Sequence, residues 1–183
     1  RFESRGLGDV YKRQPKRGSM SQFAAHTAVS PQGDSRWQAE VHRGWRIGSV
    51  ANGGYVLALV GRTLAEALNQ PDPLSINAFY LAPVALGEVE VAVESLSETR
   101  STHFASADLL QEGELKLRAT AAYTDLDKLK GPDWTNVTPP VVPSMEDVEA
   151  PAMSHLEIHQ SIDMRMVQGL SLIHISEPTR LEP

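Results

Sequence analysis

The sequence contains no cysteine among its 183 residues, which excludes a disulfide scaffold and a cysteine-ligated zinc site. It also lacks an apolar run that approaches the roughly 20 residues of a membrane-spanning helix. The stretch that follows Met20 is small and polar, without the apolar core of a signal peptide. No group of histidines has the ligand set of a metal site. We therefore expect a cytoplasmic protein that has no metal, no other cofactor and no membrane partner.

Positive charge is scarce as well. The chain carries 17 Lys and Arg against 23 Asp and Glu, which gives a net charge of −6. Nucleic-acid binding depends on clustered Lys and Arg that contact phosphates, so we expect no nucleic-acid partner. A small anionic ligand stays compatible with this charge, because the field inside one pocket can differ from the net field.

The two ends of the chain are related to each other at the level of DNA. Residues 4–14 read SRGLGDVYKRQ, and residues 170–180 read LSLIHISEPTR. The first string can be encoded by DNA whose reverse complement encodes the second. This pair resembles the adapter of transposase-based sequencing libraries, so we expect residues 1–14 and 170–183 to be translated adapter.

The adapter interpretation restricts the functional analysis to residues 15–169. This part carries 12 basic and 19 acidic side chains, so it is slightly more acidic than the whole chain. We expect the native start at Met20 and a natural protein that continues beyond Gly169.

The strongest periodic patterning lies between residues 37 and 125. It predicts a short strand at residues 38–42 and a buried helix over residues 55–68, with Asn52 as its N-cap and Pro71 and Pro73 after its end. The pattern then alternates with a period of two, which predicts a meander of four strands. These strands cover residues 74–81, 88–94, 103–111 and 115–123, and Glu112-Gly113 forms the last hairpin.

Four segments in this region match a known family in order and spacing. They read GSVANGGYVLA at residues 48–58, LSINAFYLAP at 74–83, TRS at 99–101 and QEG at 111–113. Together they resemble the acyl-CoA thioesterases, in particular the double-hotdog enzymes similar to bacterial acyl-CoA thioesterase II. Ala82 stands where the family usually has Arg, and Thr99 where it usually has Gly.

The resemblance implies an α+β hotdog fold, in which a curved antiparallel sheet wraps one long helix, followed by a truncated second hotdog. We expect a flexible N-terminus at residues 15–36, the first hotdog at 37–126 and a proline-rich linker at 127–153. Residues 154–169 would form the first strand of the second hotdog.

The resemblance also implies that the parent enzyme hydrolyses acyl-CoA to a free acid and CoA. Charge builds on the thioester oxygen during this reaction, and backbone amides at a helix N-terminus can stabilise it. The candidate amides are those of Gly53, Gly54 and Tyr55. The candidate substrate-binding residues are Asn52, Asn77, Phe79, Arg100 and Ser101.

Two alternatives to thioester hydrolysis stay open, a non-catalytic acyl-binding or structural module and a hotdog dehydratase or hydratase. The family's Asp, Gln and Ser/Thr that activate water are implied to lie in the second hotdog, so this chain could be a non-catalytic acyl-binding module. Within the first hotdog, Glu66 is a fallback general base, and Asp108 is a second carboxylate. A hotdog dehydratase or hydratase would need a His beside a carboxylate, which the sequence does not show. The expected partners are acyl-CoA and either the second hotdog or a second copy of the chain.

Overall fold

The computed structural model describes residues 21–131, 143–148 and 157–162. A six-stranded antiparallel sheet wraps one long helix, in the strand order β1-β2-β6-β7-β8-β5. Its strands are β1 (Val29–Gly33), β2 (Arg36–Val41), β5 (Asp72–Tyr80), β6 (Gly87–Glu98), β7 (His103–Gln111) and β8 (Glu114–Thr124). The short strands β3 (Arg46–Ile47) and β4 (Val50–Ala51) pair with each other next to the long helix. This is the expected α+β hotdog architecture.

The long helix α2 (Gly53–Leu68) packs one face against the concave side of the sheet. The buried positions recur at helical spacing: Tyr55, Val56, Leu59, Val60, Thr63, Leu64 and Leu68. The helix is therefore amphipathic rather than buried all round, because Leu57, Ala58, Gly61 and Ala65 keep partial exposure. The Thr63 hydroxyl, which is buried on this face, donates to the Leu59 carbonyl at 2.9 Å.

Small side chains line the sheet beneath α2. Ala105 lies directly opposite Ala121 across the β7–β8 ladder, and Ala107 lies opposite Ala119. All four are buried. Alanine at these positions lets the helix backbone approach the sheet, while Val89, Val91 and Val93 of β6 and Leu117 of β8 fill the sides of the core.

Both ends of α2 follow local signals. The Asn52 side chain caps the first turn, as predicted. The C-terminus of the helix differs from the prediction. Asn69 takes a left-handed conformation at φ 51°, and this ends the helix before Pro71. Pro73 lies inside β5, where an irregularity in the β5–β8 register and the edge position of the strand accommodate it.

The predicted meander is correct for three strands only. β6, β7 and β8 are sequential neighbours, and the β7–β8 turn has positive φ at both Glu112 and Gly113, as a tight hairpin requires. β5 instead pairs with β8 and forms one edge of the sheet. Strand order is a non-local property, and alternation within each strand carries no information about it.

Two domain expectations are wrong where the described residues test them. Residues 21–36 are not a flexible tail, because they contain the helix α1 (Gln22–His26) and β1, and β2 begins at Arg36. Residues 158–161 are not a strand, because they form the short helix α3 (Ile158–Ser161). Most of the expected linker, the remainder of 154–169 and both adapter segments lie outside the described residues.

Helix α3 packs on the hotdog through specific contacts. Ile158 is buried in the core cluster, and the Ser161 hydroxyl donates to the Gly44 carbonyl at 2.9 Å. Glu157 forms ion pairs with Arg43 and Arg46, and their side chains hold its pKa below the usual value. We expected a strand at residues 154–169, but these contacts favour one helical turn at residues 158–161 instead.

Candidate functional site

Two backbone amides at the start of α2 have no hydrogen-bond partner among the described residues. The first four N–H groups of any helix lack partners within the helix. The Asn52 side-chain oxygen accepts from the Tyr55 amide at 3.2 Å, and the Asn52 carbonyl accepts from the Val56 amide at 3.0 Å. The amides of Gly53 and Gly54 remain, and the positive end of the helix dipole makes this position favourable for an anionic oxygen.

The three predicted amide donors therefore differ in whether their N–H group is free to bind a ligand. Tyr55 is engaged by the cap, so its N–H is already committed. Gly54 is exposed, and a Cβ added there would lie 3.1 Å from the Asn52 side-chain oxygen. The absence of a side chain thus keeps the approach to the two free amides open. Asn52 itself acts as a helix cap, and its side chain is not free to bind a ligand through that oxygen.

Tyr80 closes the site from the sheet side. Its hydroxyl donates to the Gly53 carbonyl at 3.0 Å. A Cβ added to Gly53 would lie 3.2 Å from the Tyr80 ring, so glycine at position 53 permits this close contact. Tyr80 is the last residue of β5.

Tyr80 was not among the predicted site residues, although the lengths of α2 and β5 place it near the start of the helix. A 16-residue helix is about 24 Å long. A nine-residue strand that returns along it spans about 30 Å, so the end of β5 must lie beside the start of α2. Tyr80 is the large polar residue at that end.

A layer of four rings packs against the start of α2. It consists of His26, His42, Trp45 and Tyr55. The Asn52 amide donates to the Trp45 carbonyl at 2.8 Å, and the Trp45 and Tyr55 rings stack with centroids 5.4 Å apart. The Tyr55 hydroxyl donates to the His26 carbonyl at 2.6 Å, which joins α1 to α2. Burial raises the pKa of this hydroxyl. Tyr55 is therefore a core residue, and its side chain is not part of a ligand surface.

His26 is a titratable member of this layer, and its ring accepts a hydrogen bond. Its Nδ1 accepts a hydrogen bond from Trp45 Nε1 at 3.0 Å, and its ring stacks on His42 with centroids 4.1 Å apart. Accepting this bond requires an unprotonated Nδ1. Burial and the neighbouring His42 lower the pKa of His26, whereas Glu40 acts in the opposite direction.

The other predicted substrate contacts lie away from the two amides. Asn77 and Phe79 point to the opposite face of β5 from Tyr80, because successive side chains of a strand alternate. Phe79 is 69% exposed there. The structure thus does not place these two side chains beside Gly53 and Gly54.

Arg100 and Ser101 lie in the β6–β7 turn, at the far end of the helix. They line a cavity of about 560 Å³ together with Gln70 and Lys128. Gln70 lies just beyond the C-terminus of α2, so about 24 Å of helix separates this cavity from the free amides. Lys128 is paired with Asp125, which leaves Arg100 and Lys130 to contribute positive charge.

The two candidate carboxylates of the first hotdog are engaged in ion pairs. Glu66 pairs with Arg62 at 2.9 Å on the exposed side of α2. Asp108 accepts two hydrogen bonds from Arg118, at 2.7 Å and 2.5 Å. Glu66 lies about 20 Å along α2 from Gly53, and Asp108 lies on the outer face of β7, opposite the buried Ala107 and Leu109, so neither supplies a general base at Gly53 or Gly54.

Within the described ranges, no group of three or more histidine or carboxylate side chains could hold a metal ion. No helix in that same part of the chain is long and apolar enough to cross a membrane.

The fold is that of a hotdog domain, and comparisons with known proteins indicate which hotdog family it resembles. Residues 41–124 match the family model described as the acyl-CoA thioesterase N-terminal domain. A candidate thioesterase II from Thermobifida fusca YX is 28% identical, with a TM-score of 0.63, over 70% of this chain and 48% of its own. The family match and this structural neighbour support a thioesterase hotdog family for these residues. No curated protein matches the chain significantly.

Two further crystal structures share the fold. A conserved hotdog protein of unknown function from Alicyclobacillus acidocaldarius has a TM-score of 0.63 at 22% identity, over 78% of this chain and 53% of its own. A candidate thioesterase from Novosphingobium aromaticivorans has a TM-score of 0.61 at 20% identity, over 73% and 55%. The chain thus spans about half the length of each of these three relatives.

The hydrogen bond that His26 accepts from Trp45 predicts that the protein becomes less stable at acidic pH. Because the pKa of His26 is lower in the folded state than in the unfolded state, the unfolded chain binds the extra proton first. The stabilising contribution is complete above the unfolded value of 6.5 and is lost as the pH falls below it. We expect the free energy of unfolding to fall between pH 7.5 and 5.5, together with a change in tryptophan fluorescence.

His26→Asn provides the control, because its side-chain oxygen can accept from Trp45 Nε1 but does not titrate. This variant should show a smaller loss of stability over the same pH interval. An identical pH profile for the variant and the wild type would contradict the assignment.

Proposed function

We propose that the amides of Gly53 and Gly54 hold the carbonyl oxygen of an acyl-CoA thioester. The main support for this proposal is the pair of unpartnered amides at the positive end of α2, in a region that matches the acyl-CoA thioesterase N-terminal domain. Such donors stabilise the negative charge that develops on the thioester oxygen during hydrolysis, and they do so without a charged side chain. Glycine at both positions leaves room for the ligand.

The whole enzyme would hydrolyse acyl-CoA to a free acid and CoA in the cytoplasm, and this chain would be its N-terminal hotdog half. Because Glu66 and Asp108 are engaged in ion pairs, we assign different catalytic roles to the two hotdogs of the enzyme. One half would bind the thioester oxygen, and the base that activates water would come from a second hotdog. Alone, the chain would then be an acyl-binding module.

Arg100 and Ser101 belong to a separate part of this proposal. Their cavity lies about one helix length from the amides, and the exposed guanidinium suits a phosphate. We place the phosphates of CoA there, and the acyl thioester at the start of α2. Asn77 and Phe79 face the outside of the edge strand, where they would contact a neighbouring hotdog.

A hotdog hydratase or dehydratase receives less support. A hydratase or dehydratase of this fold would need a histidine beside a carboxylate. In the described residues, His26 and His42 stack on each other, and His103 Nε2 lies 2.7 Å from the Ser95 hydroxyl. None of these three rings is hydrogen-bonded to a carboxylate.

The amide assignment is tested by comparing Gly53→Pro with Gly53→Ala. Both substitutions place a Cβ against Tyr80, but only proline removes the N–H, and the first helical position tolerates proline well. We expect the proline variant to bind decanoyl-CoA about 2- to 12-fold more weakly than the alanine variant, the range of one hydrogen bond. Isothermal calorimetry measures the two dissociation constants, and equal affinities would contradict the assignment.

The same samples test the assignment of different catalytic roles to the two hotdogs. Because the protein has no cysteine, a thiol reagent reports only the CoA that is released. The chain alone should bind decanoyl-CoA without releasing CoA above the rate in buffer. Turnover by the chain alone would show that it carries its own base.

The β5 edge is the surface on which we place the neighbouring hotdog. Among the described strands, β5 and β1 are the edges of the sheet, and β5 carries the exposed side chains Leu74 and Phe79, followed by Leu81. An unpaired edge with apolar side chains favours association. A second copy of the chain could take the place of the second half.

We expect the chain to sediment as a dimer in analytical ultracentrifugation at micromolar concentration. Phe79→Lys should shift it toward the monomer, because the charge would be buried in the contact. Phe104→Lys, on the central strand β7, is the matched control and should leave the mass unchanged. A monomeric wild type, or equal effects of the two substitutions, would refute this edge as the contact.

A further inference from the structure

Tyr80 and the start of α2 share one peptide group. The carbonyl of Gly53, which accepts from the Tyr80 hydroxyl, and the N–H of Gly54 belong to the same planar peptide unit. A carbonyl oxygen has two lone pairs, so it can accept from Tyr80 as well as from the amide four residues further along the helix. The hydroxyl therefore acts directly on the peptide whose N–H is free.

We infer that Tyr80 is a positioning residue that orients and polarises the Gly53–Gly54 peptide, so that the Gly54 N–H becomes a stronger donor to the thioester oxygen. This inference rests on the proposed function of the two amides. Hydrogen bonds in a chain strengthen one another, because each bond shifts electron density along the shared group. A donor at the carbonyl therefore improves the N–H on the other side of the same peptide.

The surroundings of Tyr80 favour this role over simple packing. The side chain is 54% exposed, so it buries less apolar surface than a core tyrosine such as Tyr123. The bond to Gly53 is the one hydrogen bond of its hydroxyl within the described part of the chain. A Cβ added to Gly53 would meet its ring at 3.2 Å, so the ring lies close against the start of α2.

Tyr80→Phe isolates the hydroxyl, because the ring that contacts Gly53 is retained. The first readout is the Gly54 amide proton in the NMR spectrum of the free protein. It should move upfield in the variant, since a less polarised N–H is less deshielded, whereas the amide of Gly113 in the distant β7–β8 turn should not move. This readout does not depend on any ligand.

The second readout compares two probes, decanoyl-CoA and the decyl-CoA thioether that lacks the carbonyl oxygen. The wild type should prefer the thioester, and Tyr80→Phe should reduce this preference about 2- to 5-fold while the thioether affinity stays the same. A purely structural role of Tyr80 would change both affinities together.

The outcomes separate this inference from the proposal on which it rests. If the wild type prefers the thioester, but the Tyr80→Phe variant keeps both that preference and the Gly54 shift, the inference is wrong and the amide assignment stands. If the wild type binds both probes equally or binds neither, the amide assignment and the inference are both overturned.

Discussion

The packing of α2 against the concave side of the sheet determines where every other feature lies. Its buried face contacts the valines of β6 and the alanines of β7 and β8, and the alanines allow the helix backbone to approach the sheet. Because the helix is held along its whole length, its N-terminus lies at a defined point beside the end of β5. A helix that could tilt or slide would not present two amides to one ligand atom.

The start of the helix is supported from two sides. Trp45 accepts from the Asn52 amide and stacks on Tyr55, while Tyr80 contacts Gly53 from the edge strand. These contacts satisfy the polar groups around Gly53 and Gly54 and leave the two amides themselves open. The free N–H groups would then need little reorganisation when a charged oxygen forms next to them.

Local signals in the sequence were sufficient for some of these features. Asn52 marked the helix start, and the alternation of Glu88 to Glu94 identified a strand with its valines inward, as burial confirms. β1 could not be found in this way, because an edge strand that is exposed along almost its entire length has no apolar alternation. Three of the eight candidate site residues, Asn52, Gly53 and Gly54, lie together at the helix start, whereas Tyr55 faces the core.

The remaining features depend on contacts between distant parts of the chain. The pairing of β5 with β8 and the meeting of Tyr80 with Gly53 arise when the strand returns along the helix, over a separation of 27 residues in the second case. The engagement of the Tyr55 amide by Asn52 required the geometry of the cap, which the residue types alone do not settle. The strand expected at residues 154–169 is also wrong for residues 158–161, where ion pairs and one buried isoleucine favour a helical turn.

The central claim is that the two free amides of α2 donate to the oxygen of a thioester. Isotope-edited infrared spectroscopy of decanoyl-CoA with a ¹³C-labelled carbonyl observes that bond directly. On binding, hydrogen bonds from Gly53 and Gly54 should lower the carbonyl stretching frequency below its value for the same thioester in water. A bound carbonyl that absorbs at or above the frequency in water would contradict the account.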